Sequence, residues 1–363
     1  MTTIVLSTGG SGGHLFPAQA LAQELVRRGK QIVVMTDARG TTYETQFPGA
    51  RIEIVPAATF SGQSKLRLML APFEILAGIA VSLTKLLRIR PAAVVGFGGY
   101  PSVPVMLAAI MARFPTAILA PDAVLGRANR LVANSVAVIA GGLPLVRFLP
   151  KDMSKVVYTG NPMRPEVLEQ KGAPYRTPGP SDPLHLLVFG GSQGARSLSA
   201  VVPSAVAMLE PSLRNRLDIV QQCRPEDLEG VRRVYADANV KAELAPFFSD
   251  LPVRMAKAHL VIGRSGAGTV GELAVIGRPA ILIPLPYALD DNQTPNADAL
   301  ANAGGGWRVS EKDLTPAMLA EMLAGAFNAP EDLARRAEAA RKIGKPDATQ
   351  RFADVVEKLA EAA

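Results

Sequence analysis

The run IVLST (residues 4–8) leads straight into GGSGGH (9–14), and that turn leads straight into an amphipathic stretch beginning LFPAQALAQELV (15–26). The same order recurs about half the chain later: LHLLVF (184–189), GGSQGAR (190–196), then a second helical pattern. A buried strand, a glycine-rich turn and a helix form the opening unit of a doubly wound α/β domain. Two copies at this separation, in a chain of 363 residues, predict two similar domains rather than one large core.

The rest of the sequence extends both units. Predicted strands in the first half are 3–8, 31–36, 52–55, 92–97, 116–120 and 136–140; in the second half they are 184–189, 217–222, 240–244, 259–263 and 279–284. The first-half runs are not polar on alternate residues, as expected of parallel strands covered on both faces. Between the first two strands, Ala18, Leu21, Ala22, Leu25 and Val26 share a helical face, with Pro17 expected in the first turn and Gly29 as the C-cap. The Pro- and Gly-rich segment 160–183 lacks either periodicity and reads as the linker. The expected domains are 1–162, 163–345 and a C-terminal helix within 346–363 whose partner the sequence does not name. Two doubly wound domains joined in this way would face one another across a cleft, and ligands of such folds bind at the carboxyl edge of the sheet.

Composition narrows the chemistry. The formal net charge is +7 and the pI near 9.6, which favours anionic partners. Aromatic residues make up only 5% and no basic run is interleaved with them, so no nucleic-acid partner is expected. The lone Cys223 excludes an intrachain disulfide, and His14, His185 and His259 lie at no metal-ligand spacing. The N-terminus has no signal-peptide pattern. One segment, 68–87, approaches the length of a membrane span but contains Pro72, Glu74 and Lys85 between Lys65, Arg67, Arg88 and Arg90. It reads either as a buried crossover helix or as an interfacial helix on an anionic membrane.

Glycine turns at strand ends present free backbone N–H groups to phosphate. Two further candidates are GFGGYPSVP (96–104) and GRSGAGTVGE (263–272). None is followed by the Gly-Lys-Ser/Thr of a P-loop, and GGSGGH departs from G-x-G-x-x-G, although Asp37 at the end of the second strand keeps a dinucleotide reading open.

These motifs, together with AVLGRANR (123–130), GNPMR (160–164) and DDNQTPNA (290–297), closely resemble the MurG family of GT-B glycosyltransferases along the whole chain. The resemblance implies an inverting transfer of GlcNAc from UDP-GlcNAc to the 4-hydroxyl of polyprenyl-diphosphate-linked MurNAc-pentapeptide, at the cytoplasmic face of the bacterial inner membrane. It implies peripheral attachment and proteins of cell-wall synthesis as partners. Donor contacts carried over are Ser11, Gly12, Gly13, Asp122, Arg164, Ser192, Phe248, Ala267, Gly268, Thr269, Val270, Gly271, Glu272, Asn292 and Gln293, with the Phe248 backbone on uracil, Glu272 on the ribose and Gln293 on the sugar. Gly98, Gly99 and Tyr100 fall on the acceptor side together with Ser11–Gly13, and His14 is the candidate general base. No Asp-x-Asp of suitable setting is present, so neither cofactor nor metal is expected. Where the family has His-Glu-Gln-Asn, this chain has Leu119-Ala120-Pro121-Asp122.

Overall fold

The computed structural model describes residues 2–9, 12–37, 47–56, 65–191 and 194–362, with the side chains of 12 and 65–72 outside that description. The chain divides into two compact units, Met1–Arg164 with Asp347–Ala363, and Pro165–Pro346.

In the first unit the strands are β1 (Thr3–Ser7), β2 (Gln31–Thr36), β3 (Ala50–Ile54), β4 (Ala93–Gly96), β5 (Thr116–Ala120), β6 (Val138–Gly141) and β7 (Val156–Tyr158). They form a parallel sheet in the order β3-β2-β1-β4-β5-β6-β7. Ile4 and Leu6 pack with Leu21 and Leu25 of the helix Gly12–Arg27, and Val5 packs on the opposite face with Val105 and Met106 of the helix Ser102–Met111. The continuous apolar runs therefore serve two faces at once.

In the second unit, β8 (Leu184–Phe189), β9 (Leu217–Gln222), β10 (Lys241–Ala245), β11 (Leu260–Gly263), β12 (Ala280–Leu282) and β13 (Gly306–Arg308) are parallel in the order β10-β9-β8-β11-β12-β13. This is the 3-2-1-4-5-6 order of dinucleotide-type folds. Leu184, Leu186 and Val188 join one core cluster, while the alternate Leu187, equally buried, serves the other face.

Some sequence expectations change. The first helix begins at Gly12, inside the glycine turn itself, so Pro17 sits in its second turn rather than its first and withholds one helical N–H. Gly29 does cap that helix, with φ of +78° and its N–H donating to the Val26 carbonyl. β7 and β13 are additional three-residue strands at the sheet edges. The C-terminal helix Ala348–Glu361 packs on the first unit: Phe352 meets Phe97 edge-on at 6.0 Å, and Arg28 donates to Asp354 and Glu357, both at 2.6 Å.

The segment read as a free linker is fastened to the second unit. Arg278, 1% exposed, donates to the carbonyls of Ala173, Pro174, Ala256, Ile276 and Gly277. Burial lowers its pKa to about 10, which still leaves it charged at neutral pH. The Tyr175 hydroxyl donates to the His259 carbonyl at 3.0 Å, tying the same segment to the start of β11.

Helix Lys65–Ile89 is the crossover to β4. Its inward face is Ile79, Leu83 and Leu86, packed on the core with Val105 and Val132. The interfacial reading puts Leu68, Met69, Leu70, Phe73, Leu76 and Ile79 on one lipid-facing strip, but Ile79 faces in, because it lies at i, i+4 and i+7 with Leu83 and Leu86. Phe73 and Leu76 are 69% and 63% exposed. The side chains of Lys65, Arg67, Leu68, Met69 and Leu70 lie outside the described residues. No helix among the described residues is long and apolar enough to cross a membrane.

Candidate functional site

The four glycine turns fall in two adjacent pairs, each at a switch point of strand order. β1 and β4 are parallel neighbours with Ser7 opposite Gly96, so turns 9–14 and 96–102 emerge side by side. β8 and β11 are neighbours with Phe189 opposite Gly263, which places turns 190–196 and 263–272 side by side in the second unit. Doubly wound sheets bind ligands at this kind of crevice, where the crossover helices diverge.

In the first unit the paired turns enclose His14. Gly98 and Gly99 have φ of +84° and +76°, and a Cβ on Gly98 would lie 3.1 Å from His14 Cε1. A Cβ on Gly99 would lie 3.3 Å from His14 Cδ2. Both glycines are needed twice over, for the left-handed backbone and for the close approach of the imidazole. The ring hydrogen-bonds the Phe97 backbone, and its Nδ1 is buried with no protein partner. Burial lowers the His14 pKa, with the Asp122 carboxylate partly opposing the shift. His14 is therefore neutral at pH 7, with one ring nitrogen available to take a proton.

Asp122 follows the end of β5, the neighbour of β4. Its turn is pinned by Asn129 Nδ2 to the Leu119 carbonyl at 2.7 Å, Gly142 N–H to Ala120 at 2.8 Å and Asn161 Nδ2 to Pro121 at 3.1 Å. Tyr100, half-buried, follows the Gly98–Gly99 pair. The Arg164 guanidinium lies over the Phe16 ring at 4.7 Å, within the same unit. Ser11 lies outside the described residues, whereas Gly12 and Gly13 open the first helix.

In the second unit, a Cβ on Gly190 would come within 2.4 Å of the Ala195 nitrogen, so only glycine fits there. Gln222, at the end of β9, clamps this turn. Its Oε1 accepts from Gly190 N–H at 3.1 Å, and its Nε2 donates to the carbonyls of Gly191 at 3.0 Å and Pro246 at 3.1 Å. Gln222 thereby ties the turn to the segment carrying Phe248, which is buried beneath the Arg254 guanidinium at 4.3 Å. Ser192 lies outside the described residues.

The fourth turn starts the helix Ala267–Ile276, whose N-cap is Gly266 with no side-chain cap. A helix N-terminus of this kind favours an anion through its dipole. Gly268 is exposed, Thr269, Gly271 and Glu272 are half-buried, and Ala267 and Val270 are buried. Val270 packs inward, so only its backbone can serve a ligand. Ser265 Oγ donates to the Gln293 carbonyl at 2.8 Å, which joins this turn to DDNQTPNA. Gln293 Oε1 accepts from Leu285 N–H at 3.0 Å, an orientation that leaves its amide nitrogen as the donating end. Just ahead, Asp290 and Asp291 have φ of +56° and +50°, successive left-handed residues of the strained kind that cluster at ligand sites. Asn292 caps the helix Gln293–Asn302.

Sequence reasoning missed two supports of this edge, Gln222 and Arg264. Arg264, 8% exposed, donates to Ile283 and Pro284 carbonyls and to Ser197 Oγ, and it pairs with Glu311. The signal for Gln222 was its amide at the end of the apolar run LDIVQQ. Among the described residues no group of three His, Cys, Asp or Glu is arranged to hold a metal. A cavity of about 670 Å³ lies at the opposite, amino edge of the second sheet, beside His185, His259 and Arg278, away from the two glycine turns of that unit.

Residues 4–140 match the glycosyltransferase family 28 N-terminal domain, and residues 185–358 match the family 28 C-terminal domain. A UDP-N-acetylglucosamine–N-acetylmuramyl-(pentapeptide) pyrophosphoryl-undecaprenol N-acetylglucosamine transferase of Chelativorans sp. (strain BNC1) is 49% identical, over 99% of this chain and 95% of its own. The protein of the same name from Paramagnetospirillum magneticum (strain ATCC 700264 / AMB-1) is 48% identical over 97% of this chain and 95% of its own. The crystal structure of MurG from Acinetobacter baumannii is 29% identical, with a TM-score of 0.81 over 99% of this chain and 100% of that one. The chain belongs to the MurG family. Its two doubly wound units are those of the GT-B fold, and the fold alone is shared with a UDP-GlcNAc 2-epimerase from Neisseria meningitidis, at 13% identity and a TM-score of 0.67.

Proposed function

We propose that this MurG-family glycosyltransferase transfers GlcNAc from UDP-GlcNAc to the 4-hydroxyl of undecaprenyl-diphosphate-MurNAc-pentapeptide, with inversion, giving lipid II and UDP for peptidoglycan synthesis. The observation that carries the reading is the near-full-length identity of 49% to a transferase so named, joined to the glycine turn that opens the helix Ala267–Ile276.

In this reading the donor belongs to the second unit. The diphosphate meets the first amides of the helix Ala267–Ile276, where N–H groups and dipole oppose the charge that grows on UDP as it leaves. Ala267 to Gly271 line the diphosphate, with Thr269 as a hydroxyl donor. Glu272 accepts from the two ribose hydroxyls, the Phe248 backbone reads uracil, Ser192 and Arg164 meet the nucleotide-sugar, and Asn292 and Gln293 bond the sugar hydroxyls. His14 removes the proton from the acceptor 4-hydroxyl, with Gly12, Gly13, Gly98, Gly99 and Tyr100 on the acceptor side. As the acceptor C–O bond forms, the anomeric carbon–phosphate oxygen bond breaks and the electron pair leaves on UDP.

The acceptor's polyprenyl tail cannot leave the bilayer, so the enzyme works on the cytoplasmic membrane surface. Phe73 and Leu76, exposed on the helix Lys65–Ile89 and followed by exposed Arg88 and Arg90, suit insertion at an anionic interface.

Calorimetric titration with UDP-GlcNAc tests the donor site. Glu272→Ala is expected to weaken binding at least tenfold, the scale of losing two charge-assisted hydrogen bonds at roughly 1.5 kcal/mol or more, with the thermal transition unchanged. Equal affinity for both proteins would remove Glu272 from the site. Release of UDP by the wild type in the presence of a lipid I analogue separates an enzyme from a protein that only senses the nucleotide-sugar.

A further inference from the structure

The cavity of about 670 Å³ at the amino edge of the second sheet has the size of a small-molecule site, and its whole lining belongs to the second unit. Two lining residues begin the central strands: His185 is the second residue of β8, and His259 stands just before β11. Their rings stack at 5.1 Å and 18°. His259 Nδ1 accepts from the His185 N–H at 2.9 Å. Burial, with His185 and Arg278 beside it, lowers the His259 pKa to about 4, so this ring is neutral at pH 7. The remaining lining comes from the chain entering the unit, within 170–183, and from the helix Leu251–Lys257 with the residues after it.

The lining is unbalanced in charge. It holds Arg176, Lys257 and Arg278 against a single carboxylate, Asp182, whose Oδ2 already accepts from the Gly179 N–H at 2.8 Å. Asp218, on the neighbouring β9, meets His185 Nδ1 at 3.0 Å. Arg278 is buried on backbone carbonyls, and no carboxylate pairs with it among the described residues. Arg176 and Lys257 are exposed and make no ion pair among the described residues. The His259 ring hydrogen-bonds the Arg176 backbone, and Lys257 precedes His259 by two residues, so both cations belong to the surroundings of one imidazole. A concave surface with an excess of one sign concentrates the potential and the counter-ion. Pro174, Pro178, Pro183 and Val253 add apolar surface for an uncharged body.

We propose that this cavity is a second ligand site, separate from the glycine turns, for a small organic phosphate. The phosphate meets Arg176 and Lys257, and the organic body lies against the prolines and the stacked imidazoles. Three cations against one carboxylate leave an excess of two positive charges, which suits a phosphomonoester of about −1.5 to −2 at pH 7. A monocarboxylate would answer only half of it. A guanidinium and an ammonium together supply a directed fork and a point charge, both suited to phosphate oxygens. A ligand held by these two residues joins the entering chain to the helix Leu251–Lys257. The inference does not depend on the transferase reading.

The chain has three histidines, and two of them line the cavity, so imidazole NMR of the full protein reads this site directly. Titration with phenyl phosphate should shift the His185 and His259 signals saturably and leave His14 unmoved. Inorganic phosphate should act on the same two signals more weakly, and benzoate more weakly than phenyl phosphate. Arg176→Gln combined with Lys257→Gln should raise the Kd for phenyl phosphate at least about tenfold, the scale of losing charge-assisted hydrogen bonds. The double variant should keep the thermal transition and the calorimetric affinity for UDP-GlcNAc of the wild type, because both side chains are exposed. His185 and His259 signals unmoved by phenyl phosphate in the wild type would overturn the site. An unchanged Kd in the double variant would overturn the role of the two cations, and benzoate binding as tightly would overturn the phosphate assignment. Loss of UDP-GlcNAc binding in the double variant would place the nucleotide-sugar here and overturn a separate site.

Discussion

At the scale of single residues, His14 is held against two glycines, and in the proposed reading it is the base. Burial favours the neutral imidazole, the Phe97 backbone takes one hydrogen bond, and Nδ1 has no protein partner. His14→Ala should lower kcat by about 100-fold or more, the range for losing a general base, with donor KM nearly unchanged. Steady-state kinetics with a lipid I analogue checks this, and near-wild-type kcat would make His14 a loop-packing residue. The glycine pair was legible in the sequence as a phosphate-type turn. That Gly98 and Gly99 serve the histidine ring was not, because the contact joins residues more than eighty positions apart.

At the scale of elements, the helix Lys65–Ile89 carries two requirements. Ile79, Leu83 and Leu86 seat it on the sheet, while Phe73 and Leu76 remain in solvent. Its closest approach is at Gly78, where a Cβ would come within 2.3 Å of the Pro56 carbonyl oxygen. Replacing Phe73 and Leu76 together by Ser should leave folding intact, since neither side chain is in the core. It should reduce sedimentation with anionic vesicles several-fold, given roughly 1.5–3 kcal/mol per large apolar side chain fully buried. Turnover of a short-chain, water-soluble acceptor should persist. Undiminished vesicle binding would make the helix a crossover only. The sequence named this helix, its cations and an outward strip with Phe73 and Leu76, but put Ile79 in that strip, because its apolar residues run around much of its circumference.

At the scale of the molecule, the division into units depends on contacts distant in sequence. The last helix returns to the first unit through Phe352 on Phe97 and the ion pairs of Arg28 and Lys30 with Asp354 and Glu357. Arg278 donates to five carbonyls, two of which, Ala173 and Pro174, belong to the chain entering the second unit. Arg278→Met should therefore destabilise that unit by about 3 kcal/mol or more, since it strands buried acceptors without their donor. Denaturant unfolding followed by a probe in the second unit measures it, and a loss below about 1 kcal/mol would show that water replaces the guanidinium.

The sequence by itself determined the repeated strand–glycine turn–helix scheme, the parallel character of the strands and the resemblance to MurG transferases. These are written in short windows, as periodicity, turn residues and motif order. The edge strands Val156–Tyr158 and Gly306–Arg308 escaped it because each has three residues and pairs on one side only, so no apolar run marks it. Only the tertiary structure set the glycine turns in adjacent pairs, gave Gln222 and Arg264 their places beside the turns of the second sheet, and brought Gly98 and Gly99 to the His14 ring. Strand order decides such neighbours: β1 lies beside β4 and β8 beside β11 because the crossovers reverse there, and that reversal is a property of the assembled sheet rather than of any stretch of chain.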